Sequence, residues 1–70
     1  MLQFTEEDRS FIRQNFDNAK ALLNAEKLDD VLDPLYDLID ANGFAPPDYE
    51  EYNDFGRKAQ KVYDSIYYNN

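Results

Sequence analysis

Between Leu28 and Phe44 the apolar residues Leu28, Val31, Leu32, Leu35, Leu38 and Ile39 recur at offsets 0, 3, 4, 7, 10 and 11. That is the period of one helix face; a strand would alternate at every second residue. Asp29, Asp33, Asp37 and Asp40 fall on another face of the same helix. Asp29, Asp30 and Asp33 stand where carboxylates can accept N-terminal backbone N–H bonds and where the helix dipole favours negative charge. Pro34 fits within the first turn or so; deeper, its ring removes a backbone bond and kinks the axis. The pattern predicts a helix over about 30–41. Asn42-Gly43 ends it, with Gly43 in the left-handed conformation and Phe44 folded back on Ile39.

A second amphipathic segment precedes it. Thr5 is a capping residue, and Glu6, Glu7 and Asp8 fill a first turn. Asp8 stands where a capping box carries Glu or Gln, so an imperfect box is expected. Ile12, Phe16, Ala19 and Leu23 recur at offsets 0, 4, 7 and 11, with Phe11 and Leu22 widening the stripe. This predicts a helix over about 6–24, with Phe4 anchoring its lead-in and an Arg13–Asp17 pair one turn apart. A tight link at 25–27 would then join antiparallel helices. One continuous helix through Lys27 to Pro34 is the alternative.

A third segment follows Pro46-Pro47, which cannot continue a helix. Asp48 and Asn53 are both candidate caps, and the stripe favours the later start. Tyr52, Phe55, Ala59, Val62 and Ile66 recur at offsets 0, 3, 7, 10 and 14. The predicted helix covers about 54–68, and Tyr67-Tyr68-Asn69-Asn70 reads as a frayed tip. Its basic residues Arg57, Lys58 and Lys61 are expected to face the acids of the middle helix. The chain is thus read as a single all-α domain, 1–70: a small three-helix, up-down-up bundle with a Pro-Pro loop before its last helix. A helix–turn–helix arrangement of the last two helices is a geometric variant.

Charge changes this picture more than length does. The net charge of the 70 residues is −8. Between Asp29 and Asp54 there are nine acids and no Lys or Arg, so the acidity belongs to the middle helix and the loop after it. Such a field repels nucleic acid and anionic membranes and attracts basic partners. The chain has no Cys and no His, which removes disulfides, thiolate chemistry and Cys/His zinc sites. The start lacks the basic and apolar blocks of a signal peptide, and no apolar run approaches the roughly 20 residues of a membrane span. A cytoplasmic protein is expected.

The candidate chemistry is thin. Asp40-Ala41-Asn42-Gly43 resembles the middle of a calcium loop, but the first and twelfth positions would then be Leu38 and Tyr49, neither a carboxylate. Carboxylate pairs are unavoidable among fifteen acids; acid–base work needs one of them buried, and these are expected to be solvated. Ser10 and Ser65 have no nucleophile context, there is no Gly-rich phosphate loop, and so small a bundle is expected to have little room for a ligand. No catalytic residue, cofactor or metal is assigned. The basic residues look scattered, Arg57, Lys58 and Lys61 apart, so direct nucleic-acid binding is not expected.

The acidic region admits a plain reading, a solvated face that keeps a small protein soluble. It also admits a functional one, a surface for a protein partner with a basic face. The candidate partner-binding residues are Asp29, Asp33, Asp37 and Asp40, with Asp48, Tyr49, Glu50, Glu51 and Asp54 from the loop. Tyr is enriched at interfaces because it joins apolar area to a polar tip. Carboxylates four residues apart lie about 6 Å apart along a helix, roughly the scale of neighbouring phosphates on a nucleic-acid strand. In charge and size alone the chain resembles phage and mobile-element inhibitors that mimic DNA, such as anti-restriction proteins. The expectation is a non-enzymatic adaptor or regulator. The alternatives are a nucleic-acid mimic that blocks a DNA- or RNA-binding protein, and a homodimer or other homo-oligomer that buries its aromatics.

Overall fold

Four helices form in the computed structural model, which describes residues 2–46 and 51–70: α1 Glu6–Asn15, α2 Ala19–Leu23, α3 Asp29–Asn42 and α4 Asp54–Asn69. Three of them are long, as the all-α bundle requires, and their apolar stripes meet in one core. Phe11, Ile12, Val31, Leu35, Ala59 and Ile66 are at most 2% exposed.

The predicted first helix is two helices. Phe16 is extended (φ −131°, ψ 128°), although its N–H still donates to the Ile12 carbonyl at 3.0 Å. The cause is local. Asn15, Asp17 and Asn18 are weak helix formers whose side chains compete for backbone partners, and Asn15 Nδ2 donates to the Phe11 carbonyl at 2.9 Å. The break prevents the Arg13–Asp17 ion pair, which is absent. It also makes Leu22, rather than Leu23, the buried residue of α2.

The break reverses the chain. Gln3 meets Asn70, Asp8 meets Ser65, and Phe11 packs on Phe55 with rings tilted and centroids 5.7 Å apart. α1 therefore runs in the opposite sense to α4. α4 is also antiparallel to α3, so α1 and α3 point the same way and residues 16–28 are the return leg. The order is not a simple up-down-up. α4 packs on α1 and α3 from one side, α2 packs on both from the other, and α1 and α3 lie diagonally.

At the start of α1 the capping box closes. Thr5 Oγ1 accepts from the Asp8 N–H at 3.1 Å, and Asp8 Oδ2 accepts from the Thr5 N–H at 3.0 Å. The same Oδ2 accepts from the Ser65 hydroxyl at 3.0 Å. Asp8 is 1% exposed, a buried acid where solvated ones were expected. Two donors compensate its lost hydration and tie α1 to α4.

α3 begins without a side-chain cap: its N-cap residue is Leu28, and the first turn tightens through Asp30 N–H to Lys27 O and Val31 N–H to Leu28 O, both 3.1 Å. The expected capping by Asp29, Asp30 or Asp33 does not occur. Pro34 lies in the second turn and forgoes one backbone bond there.

The turn from α3 to α4 differs from the expected left-handed glycine. Gly43 has φ −95°, ψ 0°, a conformation any residue adopts. Glycine is required for space instead. A Cβ on Gly43 would lie 2.7 Å from the Ile39 carbonyl oxygen and 3.0 Å from Gly56 Cα; one on Gly56 would lie 1.9 Å from the Gly43 oxygen. Beyond this contact Phe44 and Tyr52 form an antiparallel bridge, with rings stacked 5.1 Å apart. Asn53 joins both helix ends: Oδ1 accepts from the Gly56 N–H at 2.7 Å, and Nδ2 donates to the Asn42 carbonyl at 2.9 Å. This selects Asn53 over Asp48 as the cap of α4.

The last residues are not frayed. α4 continues to Asn69, and the Asn70 amide donates to the Ile66 carbonyl at 2.8 Å and to the Gln3 carbonyl at 3.0 Å. Among the described residues, no helix is long and apolar enough to cross a membrane.

Candidate functional site

The stripe that buries Val31, Leu32, Leu35 and Ile39 turns the opposite face of α3 outward. Asp29, Asp33, Asp37 and Asp40 are all exposed. They span about 16 Å of helix axis at 1.5 Å per residue. Glu51 and Asp54 are exposed as well, and the Phe44–Tyr52 bridge brings them to the Asp40 end of this row, away from Asp29. Asp48, Tyr49 and Glu50 lie outside the described residues.

Tyr36 is the residue on this face that periodicity left ambiguous. It is 63% exposed. It follows Asp33 by three residues and precedes Asp40 by four, so it stands among the carboxylates. The spacing held this signal, but its place beside the core stripe made either orientation compatible. Tyr52, by contrast, spends its ring on Phe44 and its hydroxyl on Gln60 Oε1 at 3.1 Å.

The cations of α4 do not neutralise the row. Arg57, Lys58 and Lys61 line an open groove between α1 and α4, across from Glu6 and Glu7, with Phe11 and Val62 at its base. The groove measures about 920 Å3, more room than a chain of this size was expected to leave. Among the described residues the one ion pair is Arg57–Asp54, at 3.2 Å and well exposed on both sides. A pair so hydrated contributes little.

The row therefore keeps its charge at some cost to the helix. Asp29–Asp33 and Asp33–Asp37 are like charges one turn apart, and such pairs destabilise helices. Asp40 stands in the last turn, where the dipole disfavours an anion and where α3 has no basic residue. Among the described residues no three acidic side chains converge as a metal site requires. Comparison with known protein families, with curated proteins and with solved structures finds no match for this chain.

Proposed function

We propose that the protein is a non-enzymatic interaction module of the cytoplasm, an acidic adaptor or regulator that docks the outer face of α3 on a basic protein surface. One observation carries this reading: a helix face of a single sign, ion-paired to no Lys or Arg among the described residues, with an exposed tyrosine in its middle. Solubility alone is served as well by mixed charge, which does not set like charges against one another. In a complex the carboxylates would steer association and fix register, and Tyr36 would supply the desolvated anchor.

The spacing of exposed carboxylates by four, four and three residues along one helix favours a second reading, a mimic of a nucleic-acid strand. Both readings are tested by one experiment. The full chain captures its partner from the source organism, and the purified partner is titrated with wild type, Tyr36→Ala and Asp37→Asn/Asp40→Asn. The expected result is affinity that falls with salt and drops by about tenfold or more in both variants, as for hot-spot residues. Equal affinity for all three proteins, or binding indifferent to salt, refutes docking through this face. If the partner still holds its nucleic acid with this protein saturating, mimicry is wrong and the adaptor reading stands.

A further inference from the structure

On an unbroken helix Arg9, Arg13 and Lys20, at offsets 0, 4 and 11, would form a row of cations about 16 Å long. The reversal after Asn15 folds that row onto itself. The three side chains now line one concavity of about 330 Å3 between α1 and α2, whose other walls are Leu2, Leu23 and Asn24. Basic residues that look scattered along the chain are thus brought together.

Three features set this concavity apart from a chance meeting of surface charges. No carboxylate lines it, although the protein is strongly acidic, and none of its three cations is ion-paired among the described residues. Its walls are held in place. Asn24 Nδ2 donates to the Lys20 carbonyl at 2.8 Å, and the segment carrying Leu2 is pinned by Gln3 N–H to Asn70 Oδ1, also 2.8 Å. Finally, Arg9 is half-buried, which limits the positions its planar fork can take.

We propose that this concavity binds a small phosphate-bearing anion, inorganic phosphate or a soluble phosphomonoester. Two guanidinium groups and an ammonium offer donors on several sides, the pattern that matches the oxygens of a tetrahedral oxyanion better than a single carboxylate. The net charge of −8 selects for size. A nucleic acid or an anionic membrane extends over the acidic surface and is repelled, whereas a compact anion sits within the short range where the three cations prevail. The site is independent of the α3 face.

The test is a titration of the full chain with inorganic phosphate and with glycerol 2-phosphate, followed by two-dimensional NMR against sodium chloride of matched ionic strength. The expected result is a saturable shift at Arg9, Arg13, Lys20 and Asn24 that chloride does not reproduce. Arg13→Gln and Lys20→Gln, both at exposed positions, should each weaken binding about three- to fivefold, the scale of one exposed charge contact. Lys27→Gln, which removes a cation outside the concavity, should leave it unchanged. A linear drift, the same shifts with chloride, or equal weakening by Lys27→Gln overturns the proposal. So does binding to phosphatidic acid vesicles without any response to the soluble phosphates.

Discussion

Adding one methyl group to Gly56 should reverse the usual sign of such a change. Gly56 lies in the first turn of α4, where Gly→Ala ordinarily stabilises a helix by about 0.5–1 kcal/mol. Here the new Cβ would lie 1.9 Å from the Gly43 oxygen, 2.7 Å from its carbonyl carbon and 2.8 Å from its Cα. Those atoms belong to backbone, so no side chain can swing aside. α3 and α4 must separate by more than 1 Å to restore ordinary contact. Overpacking of this kind costs about 1–3 kcal/mol. Separation also strains the Asn53 N–H to Gly43 O bond of 2.8 Å, whose loss costs about 1 kcal/mol. Set against the gain in helix propensity, the net loss is about 2 kcal/mol. For a domain of this size that lowers Tm by roughly 8–16 °C. Thermal and urea denaturation followed by circular dichroism measure it, with Lys58→Ala, exposed in the same helix, as the control. A Gly56→Ala protein as stable as wild type, or more so, would mean that the two helices do not meet through their glycines.

Three further outcomes are expected from the same assays. Leu35→Ala empties a fully buried position and should cost about 2–5 kcal/mol in urea denaturation; a loss under about 0.5 kcal/mol would mean that α3 does not face the core there. Asn53→Ala removes the cap of α4 together with the tie to the Asn42 carbonyl, and should cost about 1–2 kcal/mol, against a few tenths for Asn18→Ala, at the N-cap of α2, whose side chain makes no capping bond. Asp8→Ala deletes one half of the capping box and leaves the Ser65 hydroxyl without its acceptor, so a loss of about 1–3 kcal/mol is expected. Stability unaffected by Asp8→Ala would place that side chain in solvent.

What the chain revealed beforehand follows the range of the interactions. α3 and α4 lie within a residue or so of their predicted limits, because their apolar stripes are regular and Asn53 caps α4 locally. Their outward carboxylates followed at once, since a face opposite a core stripe is exposed by geometry. The stripe from Ile12 to Leu23 runs straight across Asn15-Phe16-Asp17-Asn18 and so merges α1 with α2; weak propensity at three positions prevails over the period. Local pattern gives Gly43 the commonest duty of a terminal glycine, whereas its real one, making room for Gly56, depends on a residue thirteen positions away. Asp8 is set apart from Glu6 and Glu7 by its capping-box position, but its burial depends on Ser65 across the bundle. The groove between α1 and α4 and the basic concavity depend on the chain reversal, which the merged first helix concealed.

That reversal has a consequence for motion. α2 is a five-residue helix, far below the roughly 12–15 residues at which an isolated helix becomes even marginal in water. It stays wound only while its neighbours hold it, so its amides should exchange with solvent sooner than those of α3 and α4. Whatever occupies the hollow spanning α1 and α2 would favour the wound form by mass action, and its arrival would be felt as slower exchange across 19–23.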